Sequence, residues 1–277
     1  MARKKSLSWR MFKGILGYSG KSSSRLMGSF RGKKGEEVKV KDGIKEDVKK
    51  ENKKIEKGPL YDHVAVFDEP KVVNAVSGDY EDAEKSIYND SLIMLIFGKR
   101  GSGKSALGFR LLENIYEKTE RGCYALGLRQ SLLPKWIESI DDVEEAKNGG
   151  VILVDEGAIA FGSRESMSKN NRELVKLMAI ARHKDLTLMF ITQNTGLIDK
   201  NVLKLVDVLL VKEGSLLQSE MERPEIKKFY EKSEKAFKGL DGNRKSFVYF
   251  VDSDFEGVIS FSLPSFWGSG ISKSRAG

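Results

Sequence analysis

The chain has 277 residues, of which 40% are hydrophobic and 9% aromatic, enough for a substantial hydrophobic core. Its single cysteine, Cys123, excludes an intramolecular disulfide, and its two histidines, His63 and His183, form no cluster with metal-ligand spacing. The formal net charge of +8 is unevenly distributed, because residues 1–58 carry +11 and the remainder carries −3.

The first 58 residues are predicted to be a basic, flexible tail and linker. Residues 1–34 contain ten basic and no acidic residues, and residues 35–58 are rich in Lys and Glu with few large apolar side chains. Apolar residues in the first part favour a short basic amphipathic helix, suited to an anionic membrane or to nucleic acid. These apolar residues include Trp9, Phe12, Ile15 and Leu16.

The sequence shows neither a convincing signal peptide nor a membrane-spanning segment. No apolar run approaches the roughly 20 residues that cross a bilayer. A cytoplasmic location is therefore expected, with the tail as the part suited to contact a membrane or a virion.

A strand, a glycine-rich loop and a helix follow one another from residue 91. Residues 91–97 predict a buried strand, and Leu107, Leu111 and Ile115 mark one face of a helix. The pattern G-x-x-x-x-G-K-[ST] between them is formed by Gly98, Lys99, Arg100, Gly101, Ser102, Gly103, Lys104 and Ser105. In such a loop, backbone N–H groups surround a β-phosphate, the lysine reaches the β and γ oxygens, and the final hydroxyl binds Mg²⁺. The segment therefore predicts a site for a nucleoside triphosphate with Mg²⁺.

Further along, predicted strands alternate with helices, which is typical of a parallel α/β sheet. The strands are predicted at residues 123–126, 151–154, 187–191 and 206–211. The apolar face of the helix before the strand at 187–191 consists of Leu174, Leu177, Met178 and Ala181.

Two carboxylates follow the strand at residues 151–154, where V-I-L-V runs directly into Asp155 and Glu156. Beside a phosphate-binding loop, Asp155 is predicted to hold Mg²⁺ and Glu156 to polarise the water that attacks the γ-phosphate. A water-activating acid favours an ATPase over a small-molecule kinase. The chain also lacks the N-K-x-D segment of GTPases and the L-S-G-G-Q signature of ABC-type ATPases.

The strand at residues 187–191 is followed by Thr192 and Gln193. A polar amide at the carboxyl end of a parallel strand faces the ligand crevice. If this strand lies between those that precede Gly98 and Asp155, Gln193 stands beside the γ-phosphate and orients the attacking water. The alternative interpretation is that Gln193 merely begins a loop.

Residues 213–277 predict a charged helix and then a hairpin of strands at 247–251 and 258–261. The apolar face of this helix consists of Ile226, Phe229, Tyr230 and Phe237. The hairpin aromatics are expected to pack in the core rather than to stack on bases. Residues 59–277 are thus predicted to be one α/β domain, with its core at about 91–212 and the helix and hairpin at 213–267.

The phosphate-binding loop, V-I-L-V-D-E, and the helix ending in A-R-H before L-M-F-I-T-Q together resemble the HerA/FtsK superfamily of ATP-driven DNA pumps. Among its short forms, the chain is similar to viral and plasmid genome-packaging ATPases and to zonular-occludens-toxin-like ATPases. The resemblance implies a RecA-like (ASCE) core with strand order 5-1-4-3-2, and assembly into a homo-oligomeric ring, expected to be a hexamer. In such rings an arginine of the neighbouring subunit completes the site. Arg182 is the first candidate, with Arg172 and Arg164 as alternatives.

Three function classes follow from these patterns. The preferred one is a motor that translocates or packages double-stranded DNA, for a virus or mobile element. The second is a virion-assembly or secretion ATPase that acts on protein, with the tail contacting a membrane, capsid or portal protein. The third is a nucleotide-dependent switch, which Glu156 argues against because a switch needs no water-activating acid.

Overall fold

The computed structural model describes residues 62–155, 167–193, 195, 200–215, 222–268 and 271, except the side chains of residues 167–173. The predicted tail and linker at 1–58 lie outside the described residues, so their properties stay predictions.

Within the described residues, nine strands form one sheet with helices on both faces. The strands are β1 (Lys71–Gly78), β2 (Ile93–Phe97), β3 (Cys123–Leu126), β4 (Ile137–Ile140), β5 (Val151–Asp155), β6 (Thr187–Thr192), β7 (Val208–Val211), β8 (Phe247–Val251) and β9 (Phe255–Ser260). The α-helices are α1 (Tyr80–Asn89), α2 (Lys104–Thr119), α3 (Met167–His183), α4 (Lys200–Leu203) and α5 (Pro224–Phe237). No helix in this part of the chain is long and apolar enough to cross a bilayer.

The strands lie in the order β1-β9-β8-β7-β2-β6-β5-β3-β4. The six strands from β7 to β4 are parallel to one another. Strands β8, β9 and β1 continue the sheet beyond β7 by antiparallel pairing. The five strands expected from the sequence occupy the order β7, β2, β6, β5, β3, which is 5-1-4-3-2 when they are numbered along the chain. The strand order implied by the resemblance is therefore confirmed.

Alternate residues of β2 face opposite layers of the molecule. Met94 and Ile96 pack in the cluster that includes α1 and α2, whereas Leu95 and Phe97 pack in the cluster that includes α3 and α5. Because both faces are covered, β2 is apolar throughout, and all of its residues are at most 2% exposed. Its continuous apolar run in the sequence reflects this central position.

The C-terminal helix and hairpin are also confirmed. Helix α5 begins at Pro224 and packs Ile226, Tyr230 and Phe237 against the sheet. The second hairpin strand begins at Phe255, earlier than the expected residue 258, because the Asp252 side chain accepts the Phe255 N–H at 2.7 Å and makes a tight turn. The hairpin aromatics are buried, as expected for core residues.

Four elements were not expected from the sequence: β1, α1, β4 and the short helix α4. Every residue of β1 is exposed, so this edge strand shows no alternation of apolar and polar residues. Helix α1 begins after Asp79, whose carboxylate accepts the Glu81 N–H at 2.9 Å and caps the helix.

A buried polar face on α2 holds both flanking segments of the domain. Arg110 and Glu113 form an ion pair at 3.1 Å with side chains that are 4% and 0% exposed. The Arg110 guanidinium donates to the carbonyls of Val66 and Leu263. The Glu113 carboxylate accepts the N–H groups of Val66, at 3.0 Å, and Ser265, at 2.9 Å. The segments before β1 and after β9 are thus bound to the same helix.

Replacing Glu113 by Ala is expected to destabilise the protein by about 3–5 kcal/mol, because it leaves the buried Arg110 charge without its partner. Urea unfolding followed by circular dichroism measures the loss. Glu117→Ala, on the exposed face of the same helix, is the control and should change stability by less than about 0.5 kcal/mol. Equal stability of the two variants would show that the pair contributes nothing to the fold.

Candidate functional site

The phosphate-binding loop, residues 98–105, joins β2 to α2 at the carboxyl edge of the sheet. Strands β2 and β6 are neighbours, and the chain runs from β2 toward β3 on one side of the sheet but from β6 toward β7 on the other. Such a switch point leaves a crevice beyond the strand ends where α/β proteins bind ligands. Arg100 and Gly101 are exposed at the tip of the loop, whereas Gly98 and Ser102 are buried.

Glycines at both ends of the loop are required by its backbone. Gly103 precedes α2 with a φ of 91°, which lies in the left-handed region. A Cβ at Gly98 would lie 2.8 Å from the Cβ of Lys212, too close for any side chain. The loop therefore turns tightly from β2 into α2, and its N–H groups and the amino end of the helix face the same crevice.

Lys104 lies across the base of the loop. Its side chain is largely buried, and its ammonium donates to the carbonyls of Gly98 and Lys99, both at 2.9 Å. The hydroxyl of Ser102 is buried and has no hydrogen-bond partner among the described residues. A loop that keeps a cation and an unsatisfied hydroxyl at its centre fits an anionic ligand such as a phosphate.

Ser105 and Asp155, the predicted Mg²⁺ ligands, lie together. The Ser105 hydroxyl donates to the Asp155 carboxylate at 3.4 Å, and Asp155, the last residue of β5, is only 6% exposed. A hydroxyl and a carboxylate are oxygen ligands of the kind that Mg²⁺ takes beside nucleotide phosphates. The two residues therefore fit the metal that the loop motif implies.

Gln193 stands between the loop and Asp155 along the edge. Strand β6 pairs with β2 on one side and β5 on the other, with Thr192 opposite Phe97 and Ile191 opposite Asp155. Gln193 is the next residue and is exposed. The condition on which its predicted role depends, that its strand lies between the other two, is met.

Of the remaining predicted site residues, the structure describes the side chain of Arg182 alone. Glu156 and Arg164 lie outside the described residues, as does the side chain of Arg172. Arg182 is described, at the opposite edge of the sheet, where its Nη2 donates to the carbonyl of Leu205 at 2.9 Å and lies 3.4 Å from Asp207. Arg182 is thus remote from the phosphate-binding loop of its own chain.

Sequence reasoning missed Lys212, which follows β7 and lies beneath the loop. It is 1% exposed, and its ammonium donates to the carbonyls of Lys245, at 2.6 Å, and Phe247. Burial, together with a smaller effect of the charge on Lys104, lowers the pKa of Lys212 to about 7, and Glu213 opposes this shift. The only signal in the sequence is a lysine directly after V-L-L-V, which resembles an ordinary solvated strand end.

Comparisons with known proteins give matches among solved structures alone. No protein-family model and no curated protein sequence matches the chain. Among solved structures, the genome packaging NTPase B204 from Sulfolobus turreted icosahedral virus 2, in complex with AMPPCP, has a TM-score of 0.44 and 14% identity, covering 63% of this chain and 100% of that one.

Two further solved structures are similar to the chain. The pCW3 conjugation coupling protein TcpA has a TM-score of 0.44 and 14% identity, covering 75% of this chain and 70% of that one. ATPases 2 and 3 of EccC from Thermomonospora curvata have a TM-score of 0.39 and 15% identity, covering 62% of this chain and 37% of that one. Independently of these likenesses, the strand order 5-1-4-3-2 and the phosphate-binding loop at its switch point define the fold. The chain therefore has the RecA-like fold of the P-loop NTPases.

Proposed function

We propose that the protein is an ATPase that uses ATP hydrolysis to translocate or package double-stranded DNA, for a virus or mobile element. The ATPase part rests on one observation. The phosphate-binding loop, the Ser105–Asp155 pair and Gln193 converge on the same edge of the sheet, on β2, β5 and the strand between them.

Each residue has a separate task in the proposed reaction. Lys104 and the loop N–H groups bind the phosphates, while Ser105 and Asp155 hold Mg²⁺, which neutralises phosphate charge when bound. Glu156 accepts a proton from the attacking water, and Gln193 orients that water toward the γ-phosphate. The role of Glu156 is inferred from its place directly after Asp155 in the sequence.

Two variants separate nucleotide binding from hydrolysis. Lys104→Ala is expected to abolish ATP binding or turnover, because it removes the cation at the centre of the loop. Glu156→Gln should bind ATP normally and hydrolyse it at least about a hundredfold more slowly, the scale of a lost general base. Calorimetric titration and a phosphate-release assay measure the two effects.

Glu145→Gln is the matched control, because Glu145 is exposed and lies before the amino end of β5. Its turnover should equal that of the wild type. Wild-type turnover in Glu156→Gln would instead remove the general-base assignment.

The proposed active unit is a ring in which Arg182 of one subunit reaches the nucleotide of its neighbour. In support, Arg182 is half-exposed at the end of α3, and its contact with Asp207 is 3.4 Å long at the surface. Such exposed ion pairs contribute at most about 1 kcal/mol to stability. The guanidinium can therefore leave Asp207 for another anion at little cost. Arg172 and Arg164 remain the alternative donors.

Arg182→Ala is expected to bind ATP almost normally but to turn it over about 10³-fold more slowly, as for a lost arginine finger. Mixing it with inactive Lys104→Ala subunits should restore part of the activity, since some mixed interfaces then contain both an intact loop and an intact arginine. Steady-state ATPase assays of the separate and mixed proteins test this.

Arg182→Lys serves as the control for the surface contact, because it keeps a charge near Asp207 but loses the planar guanidinium. It should be as folded as the wild type and nearly as inactive as Arg182→Ala. Full activity of Arg182→Ala would transfer the role to Arg172 or Arg164, or contradict the ring.

The DNA part of the proposal rests on the three motifs shared with DNA pumps and on the tail, whose net charge over residues 1–58 is +11. A basic flexible segment follows phosphates without reading sequence. The second candidate, an assembly or secretion ATPase that acts on protein, is favoured by the apolar residues of the tail. Those residues, Trp9, Phe12, Ile15 and Leu16, suit a membrane or a capsid or portal protein.

Duplex DNA is expected to stimulate ATP hydrolysis by the full chain, and deleting residues 1–58 should leave basal hydrolysis intact. The deletion should weaken DNA affinity. It should also make the slope of log affinity against log salt concentration shallower by several units, because each neutralised phosphate contributes about 0.9 to that slope. A variant with Ser at positions 9, 12, 15 and 16 keeps the tail charge and should retain DNA binding. Unchanged DNA affinity and slope after the deletion, with loss of liposome binding, would favour the second candidate.

A further inference from the structure

The strand order fixes the direction in which a nucleotide lies across the edge. Asp155, assigned to the Mg²⁺, ends β5, and Gln193, assigned to the γ-phosphate, follows β6; both strands lie on one side of β2. The β-phosphate lies over the loop that leaves β2. The α-phosphate and nucleoside must therefore extend to the other side, toward β7 and β8.

The segment of residues 240–246 lies on that side. Because β8 is antiparallel to β7, with Tyr249 opposite Val211, this segment enters β8 at the same edge as the phosphate-binding loop. It also touches the loop. A Cβ at Gly103 would lie 3.0 Å from the Lys245 carbonyl oxygen and 3.7 Å from the Lys245 Cβ.

The backbone of this segment is held by hydrogen bonds from Lys212 and by others within the segment itself. The buried Lys212 ammonium donates to the Lys245 carbonyl at 2.6 Å. The Asn243 side chain accepts the Lys245 N–H at 3.0 Å, and the Asn243 carbonyl accepts the Ser246 N–H at 2.8 Å and its hydroxyl at 2.7 Å. The segment therefore presents an exposed lysine from a fixed backbone position beside the last glycine of the loop.

We propose that Lys245 binds the α-phosphate of a nucleoside di- or triphosphate held by the phosphate-binding loop. This rests on the proposed nucleotide binding. An ammonium on a flexible four-carbon stem suits a phosphate oxygen, and the position of Lys245 is on the side of β2 to which the α-phosphate extends. Lys212 acts as a positioning residue, because it holds the Lys245 carbonyl against Gly103 without reaching the crevice itself.

Arg244 provides a matched control. This neighbouring exposed cation lines an open cavity of about 450 Å³ with Glu231, Glu234, Lys235 and Lys238, on the side of α5. It therefore belongs to the same segment and has the same charge as Lys245, but it faces a different surface.

The test is calorimetric titration of the full chain with Mg-ADP and Mg-ATP. Lys245→Ala is expected to weaken both by about tenfold, the scale of one charge-assisted hydrogen bond, since the α-phosphate is common to both nucleotides. Lys245→Arg should keep most of the affinity, and Arg244→Ala should bind as the wild type does. In steady-state assays Lys245→Ala should raise KM with little change in kcat.

Unchanged ADP affinity in Lys245→Ala would overturn the assignment, and so would a loss confined to ATP, which would place the ammonium at the γ-phosphate. Thermal unfolding of each variant shows whether the fold is retained. If the wild-type chain binds neither nucleotide, or if Lys104→Ala binds both normally, the proposed nucleotide site fails instead.

Discussion

The proposed nucleotide site depends on the close approach of the backbone at Gly98 to the end of β7. A Cβ at Gly98 would lie 2.8 Å from the Cβ of Lys212, so only glycine allows these two backbone segments to come so close. The approach is held by backbone hydrogen bonds, from the Lys212 N–H to Phe97 at 2.8 Å and from the Lys99 N–H to Glu213 at 2.9 Å. The loop thus begins as a continuation of the sheet, which explains how so glycine-rich a segment keeps one shape.

Charge around the loop is arranged for an anion. Lys104 and Lys212 are both buried next to it, and the charge on Lys104 disfavours the charged form of Lys212. Glu213, which follows Lys212, is paired with Lys99 at 2.7 Å. Phosphate bound in the crevice supplies negative charge that offsets the repulsion between the two lysines.

The sequence predicted those parts of the candidate site whose chemistry requires particular residues at fixed spacing along the chain. The glycines and Lys104 must follow a strand directly, and Asp155 must end one, so both could be found without the fold. Lys212 could not, because its burial comes from residues 245–247, far along the chain. Arg110 and Glu113 were missed for the same reason: they lie on a helix face that flanking segments cover, and periodicity alone assigns charged residues to solvent. Strand order, too, came from the resemblance and not from the residues.

The two ends of β2 connect the nucleotide crevice with the opposite edge of the sheet. At the amino end of β2, the Asp207 carboxylate accepts the Ile93 N–H at 2.7 Å and lies 3.4 Å from the Arg182 guanidinium. The phosphate-binding loop begins at the carboxyl end. Between them β2 is buried on both faces and paired on both sides, so neither end can shift without disturbing closely packed neighbours. In the proposed ring, an Arg182 that leaves Asp207 for a neighbour's phosphate gives up a contact with the carboxylate that also accepts the Ile93 N–H. The candidate arginine and the phosphate-binding loop therefore lie at the two ends of the same strand.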